Sequence, residues 1–95
     1  MESWKEYEER KAVREGLERV LTKAAKGRKG RKNWVLFERL AMRDAVNEHR
    51  RKRGLPLVSA DDIEKVETMA LGHSDYMSKF ALYCSDLVVL SPRAR

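Results

Sequence analysis

The stretch Asn33–Gly54, NWVLFERLAMRDAVNEHRRKRG, has the pattern of one long helix around which the other predicted helices can pack. Asn33 is a favourable N-cap residue, because its side chain can accept a hydrogen bond from a free amide of the first turn. Gly54 suits the left-handed position just past a helix end, and Pro56 follows where a helix cannot continue. These signals predict a helix over 34–53 that is about 30 Å long.

The side chains of this helix divide into an apolar and a polar face at the helical period of three to four residues. The apolar face, which we expect to be buried, consists of Trp34, Phe37, Leu40, Ala41, Ala45 and Val46. The polar face consists of Arg39, Arg43, Asn47 and Arg50. Arg39 and Arg43 are like charges one turn apart, so either acids of another helix, such as the N-terminal one, or an external phosphate should lie beside them. Arginine and asparagine also read guanine and adenine in a major groove, although a solvated helix face has the same composition.

Three further helices are predicted, so the chain is expected to be all-α, a compact single-domain bundle of about four helices over approximately 4–25, 34–53, 60–71 and 75–90. Ser3 and Glu6 have the spacing of a capping box at the start of the first helix. Ser59 and Ser74 stand at the starts of the third and fourth helices. Residues 1–95 therefore form one domain, and we expect 1–14 and 91–95 to be its loosest parts.

The last helix is apolar around most of its circumference, since ten of the fourteen residues from Met77 to Leu90 are apolar. A helix of this kind is normally buried. It is therefore either the central helix of the bundle, which we favour, or one half of an interface between two subunits.

The basic residues are concentrated in the middle of the chain. The formal net charge is +6, and residues 26–58 hold eleven bases against three acids. Residues 1–25 are balanced, and residues 59–95 hold six acids against four bases. This segregation predicts a localised positive surface, which would attract nucleic acid or an acidic protein surface.

Two clusters of cations flank the long helix. The first, which we call the basic loop, has five cations in the seven residues 26–32, namely Lys26, Arg28, Lys29, Arg31 and Lys32. The dipole of the long helix disfavours cations at this end, so we predict that they contact phosphates, the alternative being a solvated loop. The second cluster is Arg50, Arg51, Lys52 and Arg53. It lies at the helix C-terminus, where the dipole favours cations, so it either stabilises the helix or extends a binding surface with Arg39 and Arg43.

The function favoured by this pattern is that of a small non-enzymatic accessory protein that binds nucleic acid through the basic loop and the ends of the long helix. The two clusters are separated by about 30 Å, which is close to one turn of B-DNA at ~34 Å. If both clusters lie on one face, they could meet phosphates one turn apart.

The alternative is a protein–protein interaction module, either a homo-oligomer or a binder that inhibits a host protein. Trp4 and Tyr7 are three residues apart on one helix face, and Leu82 and Val89 lie on the last helix. These four side chains are the predicted partner interface. A competing interpretation is that Trp4 and Tyr7 cover the edge of the core.

The sequence shows no convincing catalytic, cofactor or metal site, and we predict that the protein is not an enzyme. Cys84 lies within an apolar stripe, where a cysteine is usually inert, so a nucleophile assembled from Cys84, His73 and Asp75 is improbable. Neither GxxxxGK[ST] nor GxGxxG occurs. The single cysteine suits a reducing compartment, and no apolar signal region or stretch near the ~20 residues of a membrane span is present. We therefore expect a cytoplasmic protein without membrane contact.

Two segments carry a resemblance to a known group of proteins. They are ERLAMRDAVNEHRRKRGLP at Glu38–Pro56 and VETMALGHSDYMSKFALYCSDLV at Val66–Val88, of which the step from Gly72 to Cys84 is the most specific. They resemble small uncharacterised proteins of actinobacterial phages. Since those proteins have no assigned activity, the resemblance implies only a context, which is a phage accessory product acting on host or phage macromolecules in the host cytoplasm.

Overall fold

The computed structural model describes residues 3–26 and 34–89, which contain four α-helices. They are α1 (Trp4–Ala25), α2 (Trp34–Lys52), α3 (Ala60–Leu71) and α4 (Tyr76–Val89). The predicted all-α class is confirmed, and every helix end lies within one residue of its predicted position. The predicted N-cap Asn33, most of the basic loop and the tail at 91–95 lie outside the described residues.

Successive helices run in opposite directions. Arg53, just past the end of α2, reaches Glu9 in the first half of α1. Ser78, near the start of α4, donates a hydrogen bond to Glu18 in the second half of α1. α2 and α4 each pack against all three other helices, so they form the centre of a bundle that measures 43 × 25 × 21 Å. Among the described helices, none is long and apolar enough to cross a lipid bilayer.

The helix ends are built from local hydrogen bonds that the sequence makes possible. The Ser3 hydroxyl accepts from the Glu6 amide while the Glu6 carboxylate accepts from the Ser3 amide, which is the predicted capping box. Ser59 and Asp62 form the same motif at the start of α3. At α4 the amide of Lys79 donates to the carbonyl of Asp75 at 3.0 Å, so Asp75 occupies the capping position that we predicted for Ser74.

Gly54 ends α2 in the left-handed conformation that its position predicts, with a φ of 71°. The amide of Leu55 donates to the carbonyl of Arg50 at 2.9 Å, and the amide of Gly54 donates to that of Arg51 at 3.1 Å. This pair of bonds is a Schellman motif, which satisfies two of the carbonyls that a helix end leaves free. It turns the chain out of α2 and into the connector Leu55–Ser59.

α4 is the central helix, as predicted. Phe80, Ala81, Cys84, Ser85 and Val88 of α4 are fully buried. They contact side chains from each of the other helices, and the fully buried apolar partners are Leu17, Leu21, Met42, Val46, Ile63 and Ala70. The core is therefore formed around α4 within a single copy of the chain.

The prediction of which face of α2 is buried is wrong. Phe37 is 38% exposed, and Leu40, Ala41 and Ala45 are only partly buried, so Val46 alone of the described members of that face is fully buried. Four of the five described residues that α2 buries are instead spaced four apart, namely Glu38, Met42, Val46 and Arg50, and the fifth is Asn47. α2 is thus rotated so that two charged side chains face inward.

Two glycine substitutions test the assigned backbone conformations. Gly54→Ala should lower the free energy of unfolding by about 1–2 kcal/mol, because a side chain is strained at positive φ. Gly16→Ala should raise it by about 0.5–1 kcal/mol, because alanine is the better helix former. Its added Cβ would meet only the flexible end of Arg19, at 3.8 Å. Urea denaturation followed by circular dichroism measures both, and effects of the same sign at the two positions would contradict these assignments.

Candidate nucleic-acid interface

We predicted that Arg50 contributes to a binding surface, and the structure shows that this prediction is wrong. Its side chain is buried, with 7% of the residue exposed. Its guanidinium donates to the carbonyl of Pro56 in the connector and to the carbonyl of Leu87 in the last turn of α4. A helix end leaves its last carbonyls without hydrogen-bond partners and favours positive charge. Arg50 therefore supplies both a hydrogen-bond donor and a positive charge at the C-terminus of α4.

Asn47 is likewise engaged in the fold. Its side-chain amide donates to the carbonyl of Val58 at 3.0 Å, and its side-chain oxygen accepts from the amide of Val58 at 2.7 Å. Both halves of the amide are therefore used to hold the connector. The hypothesis that Asn47 and Arg50 read bases from one helix face is wrong, because neither side chain is presented to a groove.

Arg39 is neutralised within the protein, but by α3 and not by α1, the example we named from the sequence. Its Nε donates to the carboxylate of Glu67 at 3.1 Å, and its Nη2 lies 3.8 Å from the carboxylate of Glu64. The hydroxyl of Tyr76 in α4 donates to the other oxygen of Glu67 at 3.4 Å. This cluster joins α2, α3 and α4, so Arg39 acts first as a structural residue.

Two buried carboxylates were missed by the sequence analysis. Glu67 is 1% exposed and Glu38 is fully buried. Burial raises the pKa of Glu67, and the hydrogen bond and charge of Arg39 act in the opposite direction. A signal for Glu67 was present, because Ile63, Val66 and Ala70 place it on the inner face of α3 at helical spacing.

Arg43 and Arg53 have acidic partners near the surface. The guanidinium of Arg43 contacts the carboxylate of its neighbour Asp44 at 3.0 Å, and that of Arg53 contacts Glu9 at 2.7 Å. Exposed pairs of this kind contribute little to stability, about 0–1 kcal/mol, so a phosphate could compete for either arginine. Arg43 and Arg53 are therefore weaker candidates for phosphate contacts than cations that have no acidic partner.

The predicted cations that remain available in the described residues are Lys26, Arg51 and Lys52. All three are exposed, and none makes an ion pair within 3–26 and 34–89. Burial lowers the pKa of His49, and the nearby positive charges of Lys52 and Arg53 lower it further, while the charge of Glu48 acts in the opposite direction. The predicted contacts of Arg28, Lys29, Arg31 and Lys32 lie outside the described residues.

Lys26 requires one correction to the sequence argument. It is the C-cap residue of α1, so the dipole of α1 favours its charge even though the dipole of α2 does not. Folding therefore does give a reason for a cation at this position. The argument for an external anion rests on the four cations that follow.

The predicted partner interface is only partly assembled. Trp4 is 74% exposed and Tyr7 is 44% exposed, so they do not cover the core. Their rings stack with centroids 5.6 Å apart and an angle of 29° between planes. Tyr7 also lines a groove of about 310 Å³ between α1 and α4, whose other walls are Leu82, Asp86, Arg10, Lys11 and Arg14. Val89 is 1% exposed, so the prediction that it contacts a partner is wrong.

The environments of Cys84 and His73 do not favour the nucleophile considered from the sequence. Cys84 is fully buried and burial raises the pKa of its thiol, which disfavours the reactive thiolate. His73 is exposed, and its Nε2 lies 3.4 Å from the hydroxyl of Tyr83. Within 3–26 and 34–89, no group of three or more His, Cys, Asp or Glu side chains is placed to hold a metal ion.

Comparison with known proteins identifies no related protein. No family model, no curated protein and no solved structure matches the chain. The resemblance to actinobacterial phage proteins therefore stays a prediction, and the functional argument depends on the side chains alone.

Arg50 and Arg51 form a matched pair for testing which arginines belong to the fold. Arg50→Met should lower the free energy of unfolding by about 2–3 kcal/mol, because the carbonyls of Pro56 and Leu87 lose a charged donor whose own side chain is buried. Arg51→Met removes the same charge from an exposed position and should change it by less than about 0.5 kcal/mol. Urea denaturation of both variants measures the difference. Equal effects would contradict the inward orientation of Arg50.

The raised pKa of Glu67 predicts a pH dependence. A carboxyl whose pKa is raised on folding binds more protons in the folded than in the unfolded state, so its contribution to stability is present at acidic pH and is lost as the pH rises through the folded-state pKa. The free energy of unfolding of the wild type minus that of Glu67→Gln should therefore fall as the pH rises above about 4, the ordinary pKa of a glutamate. Glu64→Gln is the control, because it removes the exposed carboxylate beside the same arginine. A difference that stays flat or rises for Glu67→Gln would contradict the burial argument.

Proposed function

We propose that this protein is a small non-enzymatic accessory protein that binds nucleic acid through the basic loop and the exposed cations at the end of α2. The observation that carries the proposal is the segregation of charge, with eleven bases against three acids in residues 26–58. Four of these bases, Arg28, Lys29, Arg31 and Lys32, follow directly on the exposed Lys26. Adjacent cations of this density suit the phosphate backbone, which supplies most of the affinity in non-specific binding.

The described cations support a smaller surface than the sequence predicted. Arg39 and Arg50 are removed from it by their internal contacts, and Arg43 and Arg53 are partly committed to Asp44 and Glu9. Lys26 precedes α2 in the chain, while Arg51 and Lys52 lie in its last turn. The proposed surface therefore has separate contributions before α2 and in its last turn rather than a continuous line of arginines. The match to one turn of B-DNA stays a prediction.

A protein partner is the second candidate, because Trp4 is largely exposed and stacks on Tyr7. Aromatic side chains are enriched at protein interfaces, where they act as anchors. With Val89 buried, this candidate interface is reduced to Trp4, Tyr7 and Leu82. A mass that rises with protein concentration, together with partner binding that ignores salt, would favour it.

Neutralising part of the basic loop tests the proposal. Lys29→Gln/Arg31→Gln should weaken binding to labelled nucleic acid for every sequence tried, and should reduce the slope of log affinity against log salt by up to about 1.8 for duplex DNA. Fluorescence anisotropy at several salt concentrations measures both quantities. RNA and single-stranded DNA are tested in parallel.

The matched control is Lys65→Gln/Lys79→Gln, which removes two positive charges from α3 and α4. Its net charge equals that of the loop variant, so a purely global charge effect would weaken both variants equally. A loop variant that behaves like this control would exclude the loop as the binding element. No binding by the wild type at low salt would end the nucleic-acid proposal.

A further inference from the structure

Three of the six residues that line the groove between α1 and α4 are cations, and the groove lies beside the exposed aromatic pair. Arg10, Lys11 and Arg14 line it, with Asp86 as the acidic side chain in its wall. Lys11 and Tyr7 also line a second depression of about 500 Å³, together with Trp4 and the acid Glu8. The two depressions share Tyr7 and Lys11, so they adjoin each other, and we call them together the aromatic groove.

Two cations of the aromatic groove lack an anion within the described chain. Lys11 is exposed, and neither Lys11 nor Arg14 makes an ion pair with a residue of 3–26 and 34–89. Nε of Arg14 is buried and has no hydrogen-bond acceptor among those residues. The buried Nε itself faces no solvent, but Arg14 as a whole is only partly buried, so an anion in the groove would meet its positive charge together with that of the exposed Lys11.

The aromatic pair beside these cations indicates a ligand that has more than negative charge. Trp4 and Tyr7 are stacked on each other, and 74% of Trp4 is still exposed, so the pair presents aromatic surface to solvent. The α1 capping box fixes the backbone beside Trp4. A preformed aromatic surface next to unpaired cations suits a ligand that has both flat rings and negative charges.

We propose that the aromatic groove binds single-stranded nucleic acid, with an unpaired base stacked on Trp4 and Tyr7 and the adjacent phosphate contacted by Lys11 and Arg14. The inference rests on the proposed nucleic-acid function and names its strand state. Bases within a duplex are stacked on each other and cannot reach a side chain, whereas bases of a single strand stack on aromatic rings without regard to sequence. An acidic peptide is a weaker fit, because it offers charge but no regular succession of rings and phosphates.

The first measurement is fluorescence. The chain has two tryptophans, so Trp34→Phe leaves Trp4 as the only indole reporter. An unlabelled single strand of about 12 nucleotides, a length within the range that such binding sites cover, should quench the fluorescence of Trp4 in this background. The same amount of matched duplex should quench it far less.

The second measurement separates stacking from charge. Trp4→Ala should weaken binding of the single strand by about tenfold or more while leaving the salt slope unchanged, because indole carries no charge. Trp4→Phe should restore most of the affinity, since an aromatic face remains. Met69→Ala is the control, because Met69 is 60% exposed on α3, and α3 does not pack against α1.

The outcomes distinguish this inference from the function on which it rests. If Trp4→Ala binds the single strand as tightly as the wild type while Lys29→Gln/Arg31→Gln does not, the aromatic groove is excluded and nucleic-acid binding stands. If no nucleic acid binds at low salt, both are excluded. If sedimentation shows a concentration-dependent mass that Trp4→Ala abolishes, and single strands leave Trp4 unquenched, the groove belongs to a protein contact and the inference is overturned.

Discussion

The hydrogen bonds from Asn47 and Arg50 to the connector Leu55–Ser59 are the contacts on which the orientation of α2 depends. Asn47 holds the amide and the carbonyl of Val58, and Arg50 holds the carbonyl of Pro56 while it also caps α4. Once Arg50 faces inward, the residues four, eight and twelve positions earlier must lie on the same face of α2. That line is Val46, Met42 and Glu38, so the rotation of the helix follows from these polar contacts.

The sequence was sufficient for the helices but not for the orientation of α2. Helix ends depend on residues close in the chain, such as Ser3 with Glu6 or Gly54 with Leu55, and local chemistry predicts them. The rotation of α2 depends on partners far along the chain. Arg39 meets Glu67 across 28 residues and Arg50 meets Leu87 across 37, distances that hydrophobic periodicity does not detect. A periodicity argument assigns polar residues to solvent, and it therefore placed Asn47, Arg50 and Glu38 on the wrong side or left them out.

The same long-range contacts explain why the candidate site was only partly predictable. Counting cations along the chain treats every arginine as available, yet in the described residues Arg39 and Arg50 are used to join helices. The exposed pair Trp4 and Tyr7 was recognisable from its spacing, and so was Leu82 on the last helix. The groove that connects them to Arg10, Lys11 and Arg14 was not, because it exists only where α1 packs on α4. Val89 shows the converse error, since a residue on an apolar helix is buried when that helix is central.

The different uses of arginine and lysine in this protein also affect how specific the proposed binding of nucleic acid would be. Arginine has a rigid fork of donors that suits paired carbonyls and carboxylates, and the fold uses it at Arg39 and Arg50. Lysine is a mobile point charge that suits phosphates without regard to direction, and Lys26 and Lys52 remain exposed together with Arg51. Reading a base edge needs arginine or asparagine at a fixed position, and on α2 both Asn47 and Arg50 are already engaged. Binding by the remaining surface should therefore tolerate any sequence. If the aromatic groove binds as proposed, its discrimination comes from the state of the strand, because only an unpaired base can stack on the rings of Trp4 and Tyr7.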